Sequence, residues 1–568
     1  MRKWFLILLY FLGKDGFCQG RYSIVINEVM ADPTPVVGLP NAEWLEVKNT
    51  GAVPVNLQNW RIGDQTGQSG ALPYFILQPD SLLIITSSSQ LSSLSVYGPT
   101  ISVSTFPNLD NDGDIIWLKS SGGMIVHAIH YNTDWYHNAV KNTGGWSLEM
   151  IDSKNPCGGI SNWNSSINSI GGSPGKKNSV INNNIDTEAP IVLRTFSNDS
   201  SSITVLFNEP LDSTTAANKN YYNIEPQIPI LSCYVKPPIF DEVVIRFSRA
   251  MATDSCYYLS ASNLSDCAGN KITRIQKVKA ALSSIASKGD ISINEILFNP
   301  VSGAYDYVEY YNNSSKSFDV SHLYAANKDV NGQLASLSAI QTNSYMLFPN
   351  EYIVVTENPE NLGLHYLVKD TKNILGLSNL PSLPDDKGSI LLLNEYGSII
   401  DEVNYNSNWH YPLLDNTEGV SLERIKPSGP TQDPVNWQSA SRSAGFGTPG
   451  YQNSQYAEYT DTGNKLITCP QIFSPDNDGL DDIAIINYQM QSAGFNANVG
   501  VYNKQGLLVK HLINHQNISV TGHWKWDGLD DNNRELPIGP YIILVDLFNL
   551  EGKRIKSKSV VILAKRFN

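Results

Sequence analysis

The sequence predicts an all-β chain of several domains, and three observations carry that expectation. Glycine (41) and proline (30) are abundant, among many serines and asparagines, which is the composition of short strands joined by turns. Short runs alternate with period two, as where Trp44, Glu46 and Lys48 interleave with Leu45, Val47 and Asn49. A long stretch of sequence also occurs twice. At about 150 residues per domain, 568 residues leave room for three to four. Hydrophobic residues at 41%, with 28 Tyr and 11 Trp, supply cores and exclude wholesale disorder. A formal charge of −14 argues against a nucleic-acid binder, which carries a basic face.

The N-terminus predicts the compartment. Met1-Arg2-Lys3 is a short basic start, Trp4 to Leu12 is apolar, and Cys18-Gln19-Gly20 offers small residues before a cut. This is the order of a signal peptide over residues 1–20, too short for a spanning helix of about 20 residues. Asp15-Gly16-Phe17 before Cys18 makes a poor lipobox, so cleavage is expected after Gly20. No later run approaches about 18 apolar residues, so no transmembrane segment is expected. The exported chain retains Cys157, Cys233, Cys256, Cys267 and Cys469, an odd number. Cys233, Cys256 and Cys267 lie close in sequence, and one disulfide among them is expected, with all three pairings open. Their spacing is not that of a zinc site.

The repeat runs the length of a domain. Ile24-Val25-Ile26-Asn27-Glu28-Val29 matches Ile291-Ser292-Ile293-Asn294-Glu295-Ile296, and Glu43-Trp44-Leu45-Glu46-Val47 matches Asp306-Tyr307-Val308-Glu309-Tyr310. Tyr131 and Trp135 correspond to Tyr405 and Trp409, and Ser147-Leu148-Glu149 to Ser421-Leu422-Glu423. Asn162-Trp163 then meets Asn436-Trp437, and Ser173-Pro174-Gly175 meets Thr448-Pro449-Gly450. Ile115 to Leu118 and Ile390 to Leu393 read as buried strands after polar turns. The ordered set of I-N-E, E-W-hydrophobic-E, S-L-E, N-W and S/T-P-G resembles the lamin-tail domain, over residues 21–178 and 289–452. The resemblance implies an immunoglobulin-like β-sandwich in each copy. The first copy departs from it at His127 to Tyr131, where the usual acidic residue is absent. The second is atypical between Ser321 and Ser344.

Residues 186–283 carry Phe207-Asn208-Glu209-Pro210-Leu211 and Asn263-Leu264-Ser265-Asp266-Cys267-Ala268-Gly269-Asn270. These segments resemble the bacterial Ig-like domain of surface-layer and other exported proteins, which implies a spacer sandwich. Residues 465–568 carry Phe473-Ser474-Pro475-Asp476-Asn477-Asp478-Gly479, Val501-Tyr502-Asn503, Trp524-Lys525-Trp526-Asp527-Gly528 and Leu536-Pro537-Ile538-Gly539. They resemble the C-terminal Ig-like modules of Bacteroidetes gliding and type IX secretion substrates, akin to a flagellar-hook-cap Ig-like module. Pro540 and the Lys565-Arg566-Phe567-Asn568 tail depart from that pattern. The whole is expected to be all-β, a series of immunoglobulin-like β-sandwiches.

Candidate chemistry is sparse. Asp476, Asp478 and Asp482 have a spacing that suits a calcium loop, though no glutamate closes it. Asp110, Asp112 and Asp114 raise the same question more weakly. No G-x-S-x-G, H-E-x-x-H, P-loop or strand-linked G-x-G-x-x-G occurs, and no catalytic or cofactor residue is assigned. Glu43 and Glu46 could pair in a hydrolase, but their place in a strand repeat favours strand-edge or turn stabilisation. Trp60, Trp135, Trp163, Trp409 and Trp437 could stack on glycans, yet their recurrence at matched positions favours core packing. The expectation is a non-enzymatic exported surface protein, structural, adhesive or scaffolding. The rivals are a carbohydrate- or protein-binding accessory and a hydrolase with an unrecognised site. Expected partners are the type IX secretion machinery or cell-surface components, with glycans or proteins as ligands and no nucleic acid.

Overall fold

The computed structural model describes residues 20–458 and 464–565. Most of the expected signal peptide with Cys18, the 566–568 tail and the side chain of Cys469 lie outside the described residues. The chain forms two compact units, Met1–Ala250 with Tyr257–Lys279, and Met251–Cys256 with Ala280–Asn568. Strands dominate both, as the turn-rich composition requires.

Each repeat is a sandwich of one large and one small sheet. In the first, six strands run in the order Trp163–Ser165, Leu148–Met150, Ile24–Met30, Trp44–Asn49, Leu82–Ser87, Thr100–Val103. Arg61–Gly63, Gly113–Lys119 and Ile125–Asn132 form the smaller sheet. Ile24, Ile26, Leu45, Val47, Ile116, Leu118 and Trp163 meet in the core between them. The second repeat has the same six-strand order: Trp437–Ser439, Leu422–Arg424, Ile291–Leu297, Tyr307–Asn312, Tyr352–Thr356, Ile374–Gly376. Its smaller sheet gains a strand, Leu334–Ala339, which pairs with Leu323–Lys328. That hairpin accounts for the atypical stretch between Ser321 and Ser344.

One strand expectation needs correction. Gly113–Lys119 is buried on alternate residues only, because its outer face is half open, whereas Ile390 to Leu393 are buried throughout. Trp44–Asn49, which alternates with period two, is buried on both faces, and the two faces have different uses. The reason is a third layer. On the outer face, Met30, Trp44, Ile84 and Leu94 pack together, and Tyr307, Val354, Leu362 and Tyr366 do so in the second repeat.

The middle segment pairs a four-stranded sheet (Val192–Asp199, Ser202–Phe207, Glu242–Phe247, Ile230–Lys236) with a three-stranded one (Tyr222–Glu225, Cys256–Ala261, Gln276–Ala281). The C-terminal module pairs Lys465–Cys469, Ala484–Gln489 and Thr521–Trp526 with a five-stranded sheet. Phe473, Val499, Trp526, Tyr541 and Ile543 fill its core.

The cysteine expectation is overturned. Cys267 pairs with Cys157 of the first repeat, across 110 residues of chain with Cα atoms 6.3 Å apart, and Cys233 and Cys256 are thiols. Cys233 and Cys256 sit on strands of different sheets, so nearness in sequence did not become nearness in space. Arg21 supports the same contact: its guanidinium lies 3.8 Å over the Phe240 ring and donates to the Leu211 carbonyl.

Candidate functional site

The acids of the repeat signatures converge. Antiparallel register places Glu28 opposite both Glu46 and Glu149, and Glu295 opposite both Glu309 and Glu423. Directly opposed residues share a sheet face, so each repeat carries a row of three carboxyls across three strands. All six are fully buried. Glu46 was expected at a strand edge; its strand lies inside the sheet, and the correction follows from the outer layer. Glu43 alone serves a loop, accepting the Leu109 N–H at 3.1 Å.

The other signature residues close the row. A bulge lies between Ile26 and Glu28, and again between Ile293 and Glu295. There Asn27 and Asn294 donate side-chain N–H to Glu46 (3.0 Å) and Glu309 (2.7 Å). Gly175 N–H reaches Glu46 and Gly450 N–H reaches Glu309, at 2.6 and 2.7 Å. Ser147 and Ser421 hydroxyls donate to Glu28 and Glu295. The S/T-P-G hydroxyl sits between two acids: Ser173 Oγ is 3.3 Å from Glu28 and 2.8 Å from Glu149. Thr448 Oγ1 is 2.8 Å from Glu295 and 2.9 Å from Glu423.

A hydroxyl has one proton, so it cannot donate to both neighbours. Where both contacts are short, as at Thr448, one carboxyl of the pair must itself be the donor. The two acids of each pair are alike in geometry, since on its other oxygen each accepts a hydroxyl and a backbone N–H. Electrostatics choose Glu28 in the first repeat. Burial, reinforced by the charges of Glu46 and Glu149, holds Glu28 well above the usual carboxylate range. Burial pushes Glu46 to about 7 and Glu423 to about 8, raises Glu295, and holds Glu309 well above the usual carboxylate range. Such a row stores a proton and fixes three strands to one loop; enclosed, it presents no carboxylate to a substrate.

The copies differ at one buried post. Ile26 N–H donates to His127 Nδ1, and Ile293 N–H to Asp401 Oδ2, each at 2.9 Å. Since Nδ1 accepts, His127 Nε2 carries the proton and donates to the Pro156 carbonyl. Burial lowers His127 to about 4, so it is neutral. Asp401 instead pairs with buried Arg424 at 2.7 Å, where the first repeat has Met150. The absent acid of the first copy is thus matched by an absent cation. Pro430-Thr431, which closes the Asp401 pair, corresponds to Pro156-Cys157.

The predicted calcium residues do come together. One carboxylate oxygen from each of Asp476, Asp478 and Asp482 lies within 4.8 Å of the others. Asp482 also accepts the N–H groups of Asn477 and Gly479. A second such trio, Asp186, Glu209 and Asp266, was missed by sequence reasoning, although the Phe207–Leu211 and Asn263–Asn270 segments contain two of its members. Burial, then the charges of Asp186 and Asp266, pushes Glu209 to about 7. Asp110, Asp112 and Asp114 join neither group among the described residues. Trp60, Trp135, Trp163 and Trp437 are buried and Trp409 partly so, with Trp135 against Trp163 and Trp409 against Trp437.

Residues 19–133 match the family described as Lamin Tail Domain, and residues 467–563 the CHU_C Type IX secretion signal domain. The chain carries both domains. No curated protein sequence matches it. Among solved structures, the N-terminal part of the bacterial S-layer protein SbsC is 19% identical, with 29% of this chain and 40% of that one covered and a TM-score of 0.16. A longer SbsC chain is 12% identical over 66% and 54%, also at 0.16. PorZ of Porphyromonas gingivalis, titled an essential surface component of the type IX secretion system, is 10% identical over 79% and 56%, at 0.16. The chain thus spans about half or less of the S-layer chains, and superpositions this loose carry no functional argument. No helix among the described residues is long and apolar enough to cross a membrane.

Proposed function

We propose that the protein is a non-enzymatic scaffold or adhesin, exported through the type IX machinery by its C-terminal module and displayed on, or released from, the cell surface. The observation that carries this reading is the secretion signal domain at residues 467–563, on a chain otherwise built of sandwiches. Enclosure of both carboxyl rows supports the non-enzymatic part, since the acids shared by the repeats have no access to substrate. The test is fractionation of producing cells. A chain lacking residues 465–568 should be retained in the periplasm, and a periplasmic reporter fused to residues 459–568 should reach the outside. A truncated chain outside the outer membrane at normal levels, with the reporter retained, overturns the export role.

Calcium at Asp476, Asp478 and Asp482 belongs to the same reading. Adding Ca2+ to the chelated chain should raise the melting temperature of the C-terminal module, and no shift removes the ion from the account.

A carbohydrate-binding role is the second reading. It is favoured by a cleft of about 890 Å3 lined by Tyr451, Tyr456, Lys369, Gln489 and His523, a mix of rings and polar groups suited to sugars. Glycan-array binding that Tyr456→Ala abolishes would support it, and an array without hits would end it.

A further inference from the structure

The strap that closes each carboxyl row has the same construction in both repeats. Asn178 Nδ2 donates to the carbonyls of Asn27 and Met150, and Asn453 Nδ2 to those of Asn294 and Arg424. Ser179 and Ser454 donate their hydroxyls to Glu149 and Glu423. The same hydroxyl oxygens accept the N–H of Ile167 and Ser441. The next N–H, of Val180 or Gln455, also goes to the glutamate. Only the side chain at that last position differs in kind. Val180 is half-buried, whereas Gln455 is fully buried and uses both ends of its amide on the C-terminal module. Its Nε2 donates to the Ile518 carbonyl at 3.2 Å, and its Oε1 accepts the Gly494 N–H at 3.3 Å.

The surrounding contacts are polar, buried and confined to one end of the module. Val520 N–H donates to the Ser454 carbonyl at 2.8 Å. Asn517 Nδ2 donates to the Ser439 carbonyl and Asn496 Nδ2 to the Tyr411 hydroxyl. Gly494 has φ +77°, which favours glycine, and a Cβ there would also displace the end of the Gln438 side chain, 2.6 Å away. Asn496, Asn517, Ile518 and Val520 are all buried. A buried amide with both ends engaged fixes orientation as well as proximity, because a shifted module would leave donor facing donor.

We propose that the C-terminal module is a fixed partner of the second repeat rather than a tethered tail, that Gln455 selects it, and that the strap interlocks its placement with the folding of that repeat. The residues that satisfy Glu423 are the residues that present the clasp, so a second repeat that has not closed its row offers the module no seat. The first repeat, with the same strap but Val180, cannot take the module in this way. The inference is independent of the export reading, since it concerns where the module sits and not what recognises it.

Hydrogen exchange on the full chain, read by peptide, tests it. Gln455→Val installs the first repeat's residue. It should raise exchange across residues 491–496 and 517–520 by about tenfold, with residues 291–297 and 173–180 unchanged. Gly494→Ala should do the same from the module's side. Glu423→Ala should loosen residues 453–455 and 517–520 together. Unchanged protection at 517–520 in Gln455→Val and Gly494→Ala overturns the clasp. Loosening of 453–455 by Glu423→Ala without any change at 517–520 overturns the interlock, and equal loss at 291–297 in Gln455→Val shows a core residue instead.

Discussion

The shared hydroxyl of Ser173 or Thr448 makes the protonation of each row a question that single substitutions can answer. Glu28 is assigned the proton, so a glutamine there can donate its amide N–H to Ser173 Oγ while its oxygen keeps the Ser147 and Ser173 bonds. Glu28→Gln should therefore change unfolding free energy by less than about 1 kcal/mol. Glu149 accepts on both oxygens, from Ser173, Ser179 and Val180. Glu149→Gln turns an amide N–H toward a donor and should cost about 1–3 kcal/mol. Urea unfolding of the two variants decides, and the reverse ranking would move the proton to Glu149. The matched tryptophans test plain packing: Trp163→Ala or Trp437→Ala should each cost about 3–5 kcal/mol. Loss of ligand binding with an unchanged melting temperature would contradict that role.

Two elements that differ between the repeats show how a strand junction can be posted in alternative ways. His127 with Met150 and Asp401 with Arg424 are matched pairs, and mixing them should fail. His127→Asp buries a carboxylate beside Met150 and should cost about 3–5 kcal/mol, part of which His127→Asp with Met150→Arg recovers. A double-mutant cycle with no coupling would refute the pairing. The sequence already marked this element, since the first copy lacks an acid between His127 and Tyr131; it did not reveal that Met150 answers Arg424, because an apolar residue on a short strand reads as ordinary core. Strands, repeat and sandwich class were legible because period-two patterning and motif order are local. The carboxyl row was not, although all its members were in view. Glu46 read as a strand-edge or turn residue and Glu28 and Glu149 only as letters of the repeat motifs, and the strap's return over their face is what buries them. The pairing of Cys157 was hidden for the same reason, being a contact between domains.

At the scale of the molecule, a covalent tie and two proton inventories set the response to conditions. The Cys157–Cys267 bond joins the first repeat to the middle segment, so Cys267→Ser or a reductant should lower the stability of that pair by about 2–5 kcal/mol, read by melting with and without dithiothreitol. An unchanged melting temperature would make the bond dispensable. The carboxyl rows govern the response to pH. Their folded-state values lie above the unfolded value of about 4.3, with Glu46 near 7 and Glu423 near 8, so their contribution is complete below about 4.3 and is lost as pH rises through 7 and 8. Lys48, which acts on Glu46, is itself paired with Asp80, and the hydroxyls of Tyr307 and Tyr366 face Glu295. His127 and His410 run the other way. Burial lowers both to about 4, so their contribution is complete above about 6.5 and is lost as pH falls through 4. The two sets oppose one another between about 4.3 and 6.5, and above that only the carboxyls act. Stability should therefore fall from pH 6.5 to 9, by up to about 1.4 kcal/mol per pH unit for each proton released. Melting temperatures across that range should drop for the native chain and drop less steeply for Glu28→Gln with Glu295→Gln, because the Glu295 charge is one of the causes that raise Glu423. A flat profile in the native chain would show that neither row holds a proton, and the single-hydroxyl geometry at Ser173 and Thr448 would need another donor.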